Sequence, residues 1–190
     1  MANLNQPRGF KPVRFLSGAK WNGQTTEYYI PSSDTNIYAI GDVVKSLDGA
    51  SNGQINGMTS IGVGRVTKAS SGDTPRGVIV GFGVNATSLF NRTIPATKTQ
   101  GYIVQVVDDP NVLFMVQGNN AGTLSDTSVG AYANYTVTAI TENAPVSATV
   151  LDTTSIADNG GLPLHILQVL GGDFTAYTPF LVAFNLHELG

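Results

Sequence analysis

The chain of 190 residues lacks cysteine, has few charges and has no long apolar run. The absence of cysteine excludes a disulfide framework and a thiolate metal site. Only 12% of the residues are charged, about half the usual share. No apolar run approaches the roughly 20 residues of a membrane span, and no apolar stretch follows the basic residues near the start, so we expect neither a membrane partner nor a secretory signal.

Helical periodicity is also scarce, whereas turn residues and short apolar runs are abundant. Glycine contributes 22 residues and proline 9, and 42% of the residues are hydrophobic. Strand-length segments bounded by Gly, Asn, Asp or Ser recur along the chain, which is typical of β structure. We predict roughly eight to ten strands and little helix in a single all-β domain, either a β-sandwich or a barrel.

The segment Gly101–Gln117, GYIVQVVDDPNVLFMVQ, has the clearest strand pattern. Two apolar runs flank Asp108-Asp109-Pro110-Asn111, in which proline cannot donate to a ladder and the polar side chains can cap local amides. The pattern predicts a hairpin in which Val107 faces Val112. Both faces of this hairpin are mostly apolar, so we expect one to close the core and the other to lie under more chain or under a partner.

The first 26 residues contain four bases and no acid, whereas the remainder contains six bases and thirteen acids. Proline and glycine exclude a long helix here, yet the segment is too apolar for a free tail. Two interpretations stay open. Residues 1–31 form either a first strand and loop packed on their own domain, or an extended arm that adds to a sheet edge of another subunit, with a core domain at 32–190. The bases are too widely spaced to predict nucleic-acid binding.

No residue pattern is typical of an enzyme or of a metal site. His165 and His187 lie in apolar alternating segments without a metal-binding spacing, and we interpret both as ordinary strand residues. Calcium binding by Asp108, Asp109 and Asn111 is less favoured than a simple turn. The Gly62-Val63-Gly64 motif lacks the helix and the Lys-Ser/Thr ending of a nucleotide loop. We therefore expect no catalysis, no cofactor and no bound metal.

Several phrases of the chain resemble, in order and over nearly its whole length, a group of tailed-bacteriophage virion proteins. They are PRGFKPVRFLSGAKWNG, TEYYIPSSD, GDVVKS, RGVIVGFG, YIVQVVDDPNVLFMVQ, LPLHILQVL and LVAFNLHE. Proteins of this group act as decoration or cement partners of the major capsid protein. The resemblance implies a β-tulip or jelly-roll-like scaffold and a homo-oligomer, with a trimer favoured over a dimer. It also implies synthesis in the bacterial host cytoplasm and a final location on the capsid surface.

Under this resemblance the N-terminal arm would bind the capsid. Its bases would steer it onto acidic coat-protein surface, and its aromatic residues would supply buried contact area. The candidate residues are Arg8, Phe10, Lys11, Arg14, Phe15, Lys20, Trp21 and Tyr28. Deletion of residues 2–24 should then leave a folded protein that no longer binds capsids. The alternative function is a head-fibre or receptor- or glycan-binding module that uses the loop Leu47–Thr59.

Overall fold

The computed structural model of the chain describes residues 3–50, 54–55, 58–59, 62–85, 92–142, 144–170 and 174–190. The regular structure consists of strands and one short 3₁₀ turn, Asp126–Ser128. The strands are β1 (Lys11–Phe15), β2 (Thr26–Ile30), β3 (Tyr38–Ala39), β4 (Val43–Ala50), β5 (Gln54–Ile55), β6 (Met58–Thr59), β7 (Gly64–Lys68), β8 (Gly77–Phe82), β9 (Thr93–Ile94), β10 (Tyr102–Val107), β11 (Val112–Gln117), β12 (Tyr132–Thr136), β13 (Val150–Ala157), β14 (Leu164–Val169) and β15 (Pro179–Phe184). No helix in the described ranges is long and apolar enough to cross a membrane.

Two large sheets form the molecule. The first has six antiparallel strands in the order β1-β11-β15-β14-β12-β13. The second is a closed barrel of five strands in the order β10-β2-β7-β4-β8, in which only the β2–β7 pair is parallel. Two short pairs, β3 with β9 and β5 with β6, complete the described strands. The prediction of an all-β sandwich or barrel is confirmed.

The hydrophobic core has two main parts, one between the sheet and the barrel and one inside the barrel. The first contains Phe114, Ile166 and Val182 from the sheet, packed against Val78 and Val107 from the barrel. The second fills the barrel. Its main members are Tyr28, Ile30, Tyr38, Val44, Val66, Ile79, Val104 and Val106. Because the inner part needs a closed ring of strands around it, the core depends on contacts between residues far apart in sequence.

The predicted hairpin of Gly101–Gln117 is wrong, although both of its strands are present. β10 ends at Val107 and β11 begins at Val112, as the pattern indicated, but β10 belongs to the barrel and β11 to the six-stranded sheet. The Asp108–Asn111 connection therefore passes from one sheet to the other, with a turn closed by the Val112 amide donating to the Asp109 carbonyl at 3.1 Å. Separate sheets cover both apolar faces of these strands better than a hairpin could.

Of the two interpretations of residues 1–31, the structure agrees with the strand and loop packed on their own domain. β1 pairs with β11 and β2 pairs with β10, so both strands of residues 1–31 belong to the chain's own sheets. Gly9 and Gly41 cross closely, with the Phe10 amide donating to the Gly41 carbonyl at 2.9 Å. Gly9 has φ +66°, and an added Cβ there would lie 2.6 Å from the Ser147 Cβ. This crossing carries Phe10 into the core, where 1% of its surface is exposed.

Replacement of Phe10 tests this placement. Phe10→Ala should lower the free energy of unfolding by about 3–5 kcal/mol, because it removes a fully buried aromatic ring and leaves a cavity. Urea denaturation would measure the change. The matched control is Val13→Ala. Val13 lies on β1, which directly follows Phe10, and is 40% exposed. Its replacement should change the free energy of unfolding by about 0.5 kcal/mol or less.

An unchanged stability of Phe10→Ala would show that the N-terminal segment is a detachable arm after all. By the same reasoning, deletion of residues 2–24 should destabilise the protein, because it removes Phe10 and the whole of β1. The expectation of an intact fold after this deletion is therefore revised.

Candidate functional site

The face of the six-stranded sheet that points away from the barrel is the candidate binding surface, here called the outer face. Direct cross-strand partners in an antiparallel sheet share a face. Two rows of such partners cross the outer face. The first row is Lys20, Arg14, Leu113, Ala183, His165 and Tyr132, and the second is Lys11, Met115, Leu181 and Gln168.

The centre of the outer face is apolar. Leu113, Leu181 and Ala183 are 3%, 4% and 8% exposed, and Leu167 and Leu170 pack against them. All five residues come from β11, β14 and β15 or from the end of β14. These residues pack on one another, and the cluster is separate from the core beneath the sheet.

Four cations lie at one margin of the outer face, on and around the edge strand β1. Arg8, Lys11, Arg14 and Lys20 are all exposed, and none forms an ion pair within the part of the chain that the structure describes. We call these four residues the basic edge. A tight hairpin fixes it, because the Phe15 amide donates to the Ala19 carbonyl at 2.8 Å and so brings Lys20 beside Arg14.

The predicted aromatic residues do not join the basic edge as a group. Phe10 and Tyr28 are 1% and 5% exposed and lie in the chain's own core, so in this structure they present almost no surface to a partner. Phe15 and Trp21 are half-buried and pack against the core below the sheet. The Trp21 indole Nε1 also donates to the Gln24 carbonyl at 3.3 Å. The cations are thus placed at a surface, whereas the aromatic residues hold that surface in place.

The opposite side of the outer face carries an aromatic pair that sequence reasoning missed. The rings of Tyr132 and His165 are stacked, with centroids 4.8 Å apart and planes inclined by 20°. Both side chains are half-buried. The alternation of β14 could indicate which face His165 takes, but its stacking partner depends on the pairing of β12 with β14, which no local pattern reveals.

A polar cluster ties the barrel to the Asp108–Asn111 connection. The Tyr28 hydroxyl donates to Asp108 Oδ2 at 2.7 Å, and Arg76 Nε donates to the Tyr28 oxygen at 2.7 Å. Thr26 Oγ1 donates to the other Asp108 oxygen at 2.9 Å. Burial, together with the Asp108 carboxylate, raises the pKa of Tyr28 to about 12. These hydrogen bonds connect the barrel to the Asp108–Asn111 segment, and they occupy the Tyr28 hydroxyl.

Two lysines with internal partners, the half-buried Lys68 and the buried Lys98, were also missed by sequence reasoning. Lys68 Nζ lies 2.9 Å from Asp42 Oδ2, and Ser147 Oγ donates to the other Asp42 oxygen at 2.5 Å. Lys98 Nζ donates to the carbonyls of Asp34 and Asn36, and burial lowers the pKa of Lys98. Because each charged group has several hydrogen-bonding partners, these residues are structural.

The metal and nucleotide motifs considered in the sequence contribute no ligand set. Asp109 Oδ1 accepts hydrogen bonds from the amide and the side chain of Asn111, and Asp108 is engaged by Thr26 and Tyr28. Within the described ranges, no three His, Asp or Glu side chains are grouped to hold a metal ion. Gly62 precedes β7, and parts of the Leu47–Thr59 loop, including Asn52-Gly53 and Asn56-Gly57, lie outside the described residues.

The fold and the site define a class: an all-β protein in which an antiparallel sheet packs on a closed barrel and presents a basic, partly apolar outer face. Comparison of the chain with protein-family models, with curated proteins and with solved structures finds no match.

The raised pKa of Tyr28 predicts a specific dependence of stability on pH. The unfolded chain loses the tyrosine proton near pH 10, whereas the folded protein keeps it until about pH 12. The stabilisation is therefore fully present below pH 10 and is lost as the pH rises toward 12. Tyr28→Phe should unfold more easily than the wild type at neutral pH. Between pH 10 and 12, its free energy of unfolding should fall less steeply than that of the wild type. The two slopes should differ by up to about 1.4 kcal/mol per pH unit.

Urea denaturation of both proteins across this pH range measures the difference in slope. Tyr38 and Tyr135, whose pKa values are also raised by burial, are present in both proteins and cancel in the comparison. Val13→Ala serves as a control that should keep the wild-type slope. Parallel curves for wild type and Tyr28→Phe would contradict the assignment.

Proposed function

We propose that this protein is a capsid decoration protein, which binds the outer surface of a tailed-phage capsid and bridges subunits of the major capsid protein. The observation that carries the proposal is the row in which Lys20 and Arg14 stand beside Leu113 and Ala183 on one sheet face. Leu113 and Ala183 are themselves almost fully buried and keep the sheet ordered, and the exposed cations at its margin are suited to a partner with acidic surface. The ordered resemblance of the chain to phage decoration proteins supports the same partner.

The binding surface in this proposal is a rigid sheet face and its basic edge. Protein surfaces that are already ordered lose less conformational entropy on binding than flexible arms do. A protein that binds the assembled shell but not free subunits stabilises the shell by mass action. The basic edge would accelerate encounter with acidic coat-protein surface. Contact area would come from the half-buried Met115, Leu167 and Leu170 on the outer face.

The proposed role is structural, with no catalytic step, cofactor, nucleic-acid partner or membrane partner. The protein would be made in the bacterial host cytoplasm and would reside on the virion. We further propose that it acts as a homo-oligomer, with a trimer favoured over a dimer. Linked copies on one capsid gain avidity, so each contact with the shell can be weak.

Reversal of charge on the basic edge tests capsid binding. Arg14→Glu/Lys20→Glu should bind empty expanded capsids of the parent phage about tenfold more weakly, because two favourable charge contacts become repulsive. Co-sedimentation of protein with capsids gives the bound fraction. Thermal unfolding should be unchanged, since both side chains are exposed.

The matched control is Lys45→Glu/Arg92→Glu, which also changes the net charge from −3 to −7 by replacing two bases with two acids. Lys45→Glu replaces a surface ion pair with Asp73 by two neighbouring carboxylates, so thermal unfolding of this control is measured alongside capsid binding. If both double variants lost capsid binding equally, the basic edge would have no specific role. Glycan binding without capsid binding would favour the receptor-binding alternative.

The oligomeric state is tested by mass. Light scattering coupled to size-exclusion chromatography should give about three times the 19.9 kDa mass of the chain, as expected for an assembly with threefold symmetry. A monomer at all accessible concentrations would overturn the proposal that the free protein is an oligomer, and twice the chain mass would replace the trimer with a dimer.

A further inference from the structure

An open cleft of about 300 Å³ lies at one end of the outer face, and its lining includes Arg8 and Lys11 of the basic edge. One wall is the segment 3–9, which precedes β1. The other wall is formed by the end of β11 and the residues that lead into β15. The lining includes Gln6, Arg8, Lys11, Met115, Tyr177 and Pro179.

Hydrogen bonds from one side chain hold the two walls together. Gln117 Nε2 donates to the carbonyls of Leu4 and Tyr177 at 2.8 and 3.0 Å, and its Oε1 accepts from the Gln6 amide at 3.1 Å. Asn3 adds a further link, with its Nδ2 donating to Thr178 Oγ1 at 3.0 Å. The cleft is therefore formed before any ligand arrives, which reduces the entropy lost on binding.

The backbone conformation of Tyr177 is a second sign that the cleft is ordered. Tyr177 has φ +60°, in the left-handed region that bulky residues rarely adopt. Its carbonyl is one of the two acceptors of the Gln117 amide, so the same hydrogen bonds that join the walls also hold this conformation. The half-buried ring of Tyr177 consequently has a defined place in the lining.

The charge of the cleft is positive on a chain whose net charge is −3. Arg8 and Lys11 are both exposed, and neither forms an ion pair with any described residue. The described residues that line the cleft include no acid. Met115 and Pro179 supply apolar surface beside the two cations. A guanidinium group and an ammonium group next to apolar side chains match a ligand that carries carboxylates beside an apolar residue.

We propose that this cleft binds an extended acidic peptide segment of a partner protein, with carboxylates on Arg8 and Lys11 and an apolar side chain against Met115 and Pro179. The assignment rests on the proposed function, under which the partner is the capsid protein, and it names the kind of segment that is bound. A nucleic-acid ligand fits less well, because two cations neutralise few phosphates and the lining is partly apolar.

The test uses the whole protein and a blocked synthetic peptide in which Glu alternates with Leu, with a Lys–Leu peptide of the same length as control. In an NMR titration, the acidic peptide should shift the amide signals of residues 3–11, 115–117 and 177–179 in a saturable manner, and the basic peptide should not. Absence of saturable shifts at millimolar peptide would overturn the proposal, as would saturable shifts of the same signals by single-stranded DNA alone.

Substitution then identifies the residues involved. Arg8→Glu/Lys11→Glu should bind the acidic peptide about tenfold more weakly, whereas Lys45→Glu/Arg92→Glu, with the same net charge, should bind it like the wild type. Equal affinity of the two double variants would overturn the roles of Arg8 and Lys11. Thermal unfolding confirms that each variant is folded, and the titration of the wild type tests the cleft independently of any substitution.

The outcomes also separate this inference from the proposed function. If Arg14→Glu/Lys20→Glu loses capsid binding while the wild type binds no acidic peptide, the cleft assignment fails and the decoration function stands. If the acidic peptide binds in the cleft but wild-type protein does not co-sediment with capsids, the decoration function fails and the cleft assignment stands.

Discussion

The packing of Phe10 against Phe114, Tyr135 and Phe184 is the interaction on which the rest of the structure depends. The centroid of the Phe10 ring lies 6.3, 6.1 and 5.6 Å from those of the three other rings, distances at which aromatic side chains attract one another. Phe10 immediately precedes β1, and its partners lie on β11, β12 and β15. The cluster therefore fastens the N-terminal segment to the centre of the six-stranded sheet. It adds to the ladder of β1 with β11 and to the packing of Phe15 against the core.

This fastening changes the physical basis of the proposed binding. A flexible arm would lose conformational entropy each time it bound a partner. Here the cations of the basic edge are presented by a strand that folding has already ordered, and the segment 3–9 is held by Gln117. Recognition would then resemble the docking of two preformed surfaces. The cleft, with Met115 and Pro179 in its lining, would supply burial and register, while the cations would supply steering.

The sequence predicted the strands well and their partners poorly. The two runs that flank Asp108–Asn111 correspond to β10 and β11 without a change of bounds, because alternation and turn residues are local signals. The hairpin prediction is wrong because distant strands also compete for pairing. β10 pairs with β2 and β8, and β11 pairs with β1 and β15, so the two do not pair with each other. Of the candidate binding residues, the four bases are exposed as a group, whereas Phe10 and Tyr28 lie in the core. Aromatic residues look alike in sequence whether they fill a core or a contact surface.

Composition and local pattern alone determined the β class, the position of most strands and the charge of the N-terminal segment. Only the tertiary structure decided that Lys11, Arg14 and Lys20 share a face with Leu113 and Met115, because this follows from the register between β1 and β11 and from the Arg14–Lys20 bridge. Tertiary packing likewise determines that β10 and β11 belong to different sheets. Two adjacent apolar strands can bury both of their faces only when separate layers cover them, and no short-range signal specifies which strands those layers will contain.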